Sequence, residues 1–288
     1  MRVVITGVNG FVGMNIKAQL CGRYSLIGVS RTPKSDEVSW DKLCLTQEVK
    51  AETWIHLAGK AHDLTGNVQV SEYIQVNLEL TKKVFESFLQ DRSAEKFIFF
   101  SSVKAVASEV DGWLNEEDKF ELDNPYGKSK RLAEEYLLSQ ELPENKKLII
   151  LRPCMIHGAG NKGNLNLLYK FAKLGMPYPL ASFENSRSYI SMNNLIYIVD
   201  KIIESKDIES GVYNVADDQI LSTNRLIELM AKQSQKNIKL LYIRPSVIKF
   251  LAKLGDVLHL PLNSHRLQKL TESYKVSNRK IKKALQIE

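Results

Sequence analysis

The first twenty residues constrain the fold more than any other stretch. Arg2-Val3-Val4-Ile5-Thr6 is a β-branched run with strand character, and it gives way at once to Gly7-Val8-Asn9-Gly10-Phe11-Val12-Gly13. A helical pattern then continues through Leu20. Strand, glycine turn and helix in that order predict a phosphate cradle. Gly7 permits the tight turn, Gly10 lets backbone approach a diphosphate, and Gly13 lets helix and strand pack closely. The helix start adds free N–H groups and the positive end of a dipole. Phe11 and Val12 belong to the same turn and are expected beside the same ligand.

The rest of the chain repeats the rhythm. Apolar runs recur at Ser25–Ser30, Thr53–Ala58, Lys96–Ser102 and Lys147–Pro153, with long helical stretches near 70–91 and 127–140 between the later ones. Short apolar runs joined by crossover helices imply parallel strands buried on both faces. The expected fold is therefore α/β, a Rossmann-type doubly wound parallel sheet. After about residue 160 Gly, Asn and Pro become frequent and the runs shorten. Residues 1–160 are expected to form the dinucleotide-binding domain. Residues 161–288 are expected to form a smaller mixed α/β substrate region that partly returns to the sheet, with Gly211–Val215 as one more strand and a helix over Thr223–Gln233.

Composition narrows the function. The 288 residues are 44% hydrophobic and 25% charged, which suits a soluble globular protein with a substantial core. No apolar run is long enough to cross a bilayer, so no membrane insertion is expected. Residues 1–6 read as a strand and not as a signal peptide. The cysteines Cys21, Cys44 and Cys154 are scattered, which points to a reducing compartment, hence the cytoplasm, and to no structural metal. The net charge of +7 is spread along the chain, and its densest run, Arg279-Lys280-Ile281-Lys282-Lys283, reads as the solvated face of a terminal helix. No nucleic-acid partner is expected; a polyanionic small substrate accounts equally well for excess positive charge.

Two positions speak to chemistry. The second apolar run ends in Ser30-Arg31, where an acid would bond the adenosine ribose of a dinucleotide. A guanidinium beside a hydroxyl suits a 2′-phosphate instead, so NADP is expected, with NAD as the alternative. Tyr126 and Lys130 lie four residues apart, hence on one helix face, downstream of the run that ends in Ser101-Ser102. A neighbouring ammonium is expected to lower the phenol pKa from its usual value near 10 and ready Tyr126 for proton transfer. Ser102 would bond the substrate oxygen as charge shifts onto it. The nearby histidines His56 and His62 read as a strand-end and a loop residue, not as catalytic bases.

The Gly-x-x-Gly-x-x-Gly spacing, Tyr126-x-x-x-Lys130 and the preceding Ser101-Ser102 together resemble the extended branch of the short-chain dehydrogenase/reductase superfamily. More specifically, the chain resembles the NAD-dependent epimerase/dehydratase family, including bacterial UDP-sugar 4-epimerases and UDP-4-keto-6-deoxy-N-acetylhexosamine 4-reductases. The likeness extends to His56-Leu57-Ala58-Gly59, to Asn77 followed by Thr81, to Arg152-Pro153 with Gly158, and to Arg187-Ser188-Tyr189-Ile190. It implies catalysis by Ser102, Tyr126 and Lys130. The cofactor would meet Leu57, Ala58, Gly59, Asn77, Ser101, Tyr126, Lys130 and Pro153 beside the glycine turn, Ser30 and Arg31. A UDP-sugar would meet Ser102, Val103, Asn164, Leu165, Arg187 and Arg266. A homodimer is implied as well.

Val103-Lys104 stands where 4,6-dehydratases of that family carry an Asp-Glu pair, which argues against elimination. His157 replaces a common tyrosine. The leading expectation is a 4-ketoreductase of surface-polysaccharide precursor synthesis, and the alternative is a 4-epimerase. A dinucleotide sensor without catalysis is a third reading, which the retained Ser102, Tyr126 and Lys130 oppose.

Overall fold

Alternate residues of the first strand feed opposite layers: Val3 and Ile5 enter one core and Val4 the other. Burial on both faces is what a parallel sheet requires. The computed structural model describes the chain apart from residues 45–47, 62–68, 159, 161–164, 259, 261 and 288. In chain order the strands are β1 (Arg2–Thr6), β2 (Ser25–Ser30), β3 (Glu37–Ser39), β4 (Thr53–His56), β5 (Lys96–Phe100), β6 (Trp113–Leu114), β7 (Lys147–Pro153), β8 (Met155–His157), β9 (Arg187–Ser191), β10 (Gly211–Val215), β11 (Ile220–Leu221) and β12 (Lys275–Val276). The helices are α1 (Phe11–Leu20), α2 (Trp40–Cys44), α3 (Val70–Ile74), α4 (Leu80–Gln90), α5 (Pro125–Leu138), α6 (Leu165–Leu174), α7 (Met192–Glu204), α8 (Thr223–Gln233), α9 (Pro245–Leu258), α10 (Ser264–Thr271) and α11 (Arg279–Leu285).

Seven strands form one parallel sheet in the order β10-β7-β5-β4-β1-β2-β3. The chain leaves β1 toward β2 on one side and later resumes at β4 on the other. That reversal opens a crevice at the carboxyl ends of β1 and β4, where α/β sheets take their ligands. The doubly wound fold expected from the apolar rhythm is the fold observed. One face is covered by α1 and α7, through Ile16, Leu20, Leu195, Val199 and Ile202. The other is covered by α2, α4 and α5, through Leu43, Val84, Phe85, Phe88, Ala133 and Leu137. Each fully buried Phe or Ile contributes about 1.5–3 kcal/mol.

The C-terminal region contributes to both levels of the structure. Its β10 extends the main sheet beside β7, and its α7 belongs to the main core. The remainder, α6, α8, α9 and α10, gathers around a separate core that includes Leu168, Tyr189, Ile227, Ile248 and Leu267. Two small sheets, β11-β9-β8 and β12-β6, accompany the main one.

Candidate active site

The crevice begins with a helix that no side chain caps. Gly7 has φ +70 and Gly10 precedes α1, which has neither a capping side chain nor an acid in its first turn. By contrast α5, α7, α8 and α10 are each capped by an Asn or Ser: Asn124, Ser191, Ser222 and Asn263. An uncapped start leaves its N–H groups for an anion. The glycines are needed for space: a Cβ on Gly7 would lie 2.8 Å from Ala58 N, and one on Gly13 would lie 2.4 Å from the Gly7 carbonyl oxygen.

Ser102, Tyr126 and Lys130 converge at the end of β5. A 3-10 turn at Val103–Ala105 follows Ser102, whose Oγ accepts from Lys104 N at 3.2 Å. Helix α5 starts with Asn124 as its cap and Pro125 in its first turn, a pairing that fixes where Tyr126 begins. Gly127 lets this start press on the loop, since a Cβ there would lie 2.2 Å from Lys104 O. Arg131 fastens the two together, donating from Nε to Ala105 O at 2.8 Å and from Nη2 to Val106 O at 2.7 Å. The Tyr126 hydroxyl is consequently brought beside the Ser102 side chain, while its ring meets Tyr73 edge-on at 6.3 Å.

Lys130 is buried beneath the same floor. Its Nζ donates to Phe100 O at 2.9 Å and lies over the Phe99 ring at 4.7 Å. A Cβ on Gly59 would come within 3.2 Å of that Nζ and 2.9 Å of Asn77 Oδ1, so Gly59 is where the crevice floor thins. Asn77 is fixed by a π-helical turn, Gln75–Glu79, of a kind that is frequent at functional sites. It accepts from Lys60 N at 2.7 Å and donates to Lys60 O at 3.0 Å and Ser129 Oγ at 2.9 Å.

Electrostatics correct one expectation. Burial pushes the Tyr126 phenol up to about 12, with the neighbouring Ser102 side chain opposing it. Burial brings Lys130 down to about 8, against the pull of Glu134. The ammonium does not bring the phenol toward neutrality: it is turned to a backbone carbonyl, and loss of water dominates both groups. Tyr126 therefore stands in the cleft as a protonated acid.

The carboxyl end of β2 holds a residue that the linear sequence concealed. Glu37, from β3, lies opposite Gly28 in the ladder and aims its carboxylate at the end of β2. Its Oε2 accepts from Ser30 Oγ at 2.8 Å, Asn9 Nδ2 at 3.0 Å and Lys34 N at 3.3 Å. Its Oε1 is buried without a hydrogen bond, and the Lys17 ammonium lies 3.8 Å away. Burial alone would raise this carboxyl, but the hydrogen bonds and Lys17 hold it below the usual range. The acid missing from Ser30-Arg31 thus arrives from the neighbouring strand, while Arg31 is exposed.

Other expected residues divide. Leu57 and Ala58 follow β4 alongside Gly7, and Pro153 closes β7. The Ser101 hydroxyl is buried and has no hydrogen-bond partner. His56 is structural as expected, held between Thr6 Oγ1 at 2.7 Å and Thr81 Oγ1 at 2.9 Å, with burial taking its pKa down to about 3. Val103 and Leu165 are buried in the two cores, which removes their side chains from the expected substrate surface. Arg187 is buried too. It pairs with Glu272 at 3.3 Å and donates to Lys269 O near the end of α10, so its guanidinium serves as a brace and not as an open phosphate clamp. Arg266 is exposed on α10. Asn164 and His62 lie outside the described residues.

A dinucleotide fits this crevice on three observations: the uncapped α1, the unpartnered Ser101 hydroxyl, and the glycine-lined floor at Gly59. Fold and crevice together define a protein of the dinucleotide-dependent enzyme class, with Ser102, Tyr126 and Lys130 gathered beside the crevice. Residues 3–216 match the NAD dependent epimerase/dehydratase family, and the chain belongs to it. The resemblance read from the glycine spacing and from Tyr126 and Lys130 is thereby borne out, as is an NAD(P)-dependent enzyme.

Among curated relatives, a UDP-glucose 4-epimerase of Vibrio cholerae is 26% identical over 245 residues, 80% of this chain and 74% of its own. A UDP-2-acetamido-2,6-beta-L-arabino-hexul-4-ose reductase of Pseudomonas aeruginosa is 33% identical over 138 residues, 48% of this chain and 31% of its own. Among solved structures, human epimerase family protein SDR39U1 with NADPH superposes with TM-score 0.79 at 17% identity. That superposition covers 99% of this chain and 93% of the human one.

Proposed function

We propose that this protein is a nucleotide-sugar 4-ketoreductase in surface-polysaccharide precursor synthesis, acting on a UDP-linked 4-keto sugar. The observation that carries the reading is the convergence of Ser102, Tyr126 and Lys130 at the carboxyl end of β5, above a floor thinned at Gly59. The dinucleotide, when bound, supplies the hydride. Ser102 would orient the C4 oxygen by hydrogen bonding. Tyr126, kept protonated by its dry surroundings, would give that oxygen a proton as negative charge develops on it. Lys130, Asn77 and Ser101 line the floor where the nicotinamide ribose would rest. The α1 start would hold the diphosphate. Arg266, braced on α10 through Arg187, would face the sugar nucleotide's own phosphates.

Incubation with a UDP-4-keto-6-deoxy-N-acetylhexosamine and NADPH or NADH tests this. Loss of nicotinamide absorbance with formation of one 4-hydroxy product is expected. A second reading, a 4-epimerase, is favoured by Glu37, because a carboxylate at the ribose suits an NAD that stays bound. Interconversion of UDP-GlcNAc and UDP-GalNAc without nicotinamide consumption would replace the first reading with the second. The same proposal includes a cytoplasmic homodimer paired through α4 and α5, where Leu132 and Leu138 are exposed. Light scattering at the mass of one chain would reject the dimer.

A further inference from the structure

Helix α9 buries one narrow stripe, Ile248, Ala252 and Gly255. That stripe is pressed close to its neighbour: a Cβ on Gly255 would lie 1.8 Å from Leu262 O. Its other apolar residues, Val247, Phe250, Leu251, Leu254, Val257 and Leu258, are all exposed. They are not scattered. At about 100° per residue they occupy one continuous arc of about 120°, separate from the buried stripe. Val257 is 74% exposed, Leu258 63% and Phe250 62%, and Leu260 just beyond the helix is 47% exposed. Six large apolar residues on one exposed helix face exceed the ordinary scatter of surface hydrophobics and mark a contact surface.

Charge selects the occupant. Lys249 and Lys253 border the arc on the side away from the buried stripe, and Arg244 precedes the helix. The one acid of α9, Asp256, is engaged at the start of α10, accepting from Ser264 N at 2.9 Å and Ser264 Oγ at 2.5 Å. The border of the apolar arc is therefore cationic. Facing copies of this helix would bring like charges together at the rim. A negatively charged bilayer surface matches both features: acyl chains for Phe250, Leu254 and Val257, and headgroup anions for the lysine ends, whose long stems reach outward. Fourteen residues make a helix about 21 Å long, short of the roughly 30 Å hydrocarbon core, so α9 would lie in the interface. Among the described residues no helix is long and apolar enough to cross a membrane.

We propose that α9 is a peripheral docking helix for an anionic membrane surface, seating the substrate lobe against the bilayer. This goes beyond the nucleotide-sugar reading and does not depend on it. The test is flotation of the full-length protein with phosphatidylcholine vesicles, with and without phosphatidylglycerol. Binding is expected to the anionic vesicles and to weaken with salt. A Phe250→Ser, Val257→Ser, Leu258→Ser variant should bind at least about tenfold more weakly. Lys249→Ser and Lys253→Ser should each weaken binding about fivefold, on anionic vesicles alone. All these side chains are exposed, so circular dichroism and the unfolding midpoint should match wild type; if the triple variant unfolds, Phe250→Ser alone is measured. The proposal is overturned by wild-type protein that does not float, or by variants that float as well as wild type. It is also overturned by a wild-type dimer that the triple variant converts to monomer, which would assign the face to a second copy.

Discussion

The two sides of the crevice hold their polar groups in different ways. On the sheet side, Lys130 and Asn77 are buried, and their partners are mainly backbone atoms: Phe100 O, Lys60 N and Lys60 O. Backbone positions follow from strand order, so these side chains are placed by the fold itself. On the lobe side, Arg187 is buried against another side chain, Glu272, and a helix-terminal carbonyl, and it holds α10 in place. Arg266 on that helix is exposed. The difference teaches that one residue type at an expected position can be a ligand group or a brace, depending on what the lobe packs against it.

Substitutions can break that contrast. The largest effect is expected from Tyr126→Phe, which removes the acid: kcat should fall by about 10²–10⁴ while dinucleotide affinity, read by fluorescence titration, stays near wild type. Turnover at the wild-type rate would remove Tyr126 as the acid.

Arg187→Met should cost about 2 kcal/mol in denaturant unfolding, because Glu272 loses one of its two cationic partners and keeps only Lys104 at 3.4 Å. Arg266→Met should leave stability within about 0.5 kcal/mol and raise KM instead. An Arg187→Met protein as stable as wild type, with only KM raised, would make Arg187 a phosphate clamp after all.

Next in size is Glu37→Gln, which should weaken NAD binding and strengthen NADP binding, each by about tenfold, in calorimetric titrations. Unchanged selectivity would leave Arg31 as the determinant.

The smallest effect is on pH dependence. Lys130 has its pKa lowered from 10.5 to about 8 in the folded chain, so between those values the unfolded chain binds more protons and stability rises with pH. Lys130→Met should reduce the slope by about 1 kcal/mol per pH unit between pH 8 and 10. An unaltered slope would mean that water reaches this ammonium.

Much of the fold was legible because its signals are local. The helix over Thr223–Gln233 and the strand at Gly211–Val215 were both readable from periodicity, and both lie where expected. The glycine turn, Ser102, Tyr126 and Lys130 could be read for the same reason: each sits at a strand end or helix start whose chemistry is written in neighbouring residues. Glu37 could not be read. Nothing in Ser35-Asp36-Glu37-Val38 announces a short parallel strand registered against Gly28, and only that register carries the carboxylate to Ser30 and Asn9. The Tyr126 pKa departs from the spacing-based expectation for a related reason. Spacing puts Lys130 on the same helix face, but burial and the Phe100 carbonyl decide what the ammonium does.

By itself the sequence determined the alternation of strand and helix, the anion-ready start of α1 and the helix face that Tyr126 and Lys130 share, because backbone preference and side-chain chemistry act over a few residues. Tertiary structure decided which carboxylate reaches the end of β2, which arginine braces and which faces outward, and which side of α9 remains uncovered. Those outcomes depend on desolvation and on partners far away in the chain, and neither is encoded in any single stretch of it.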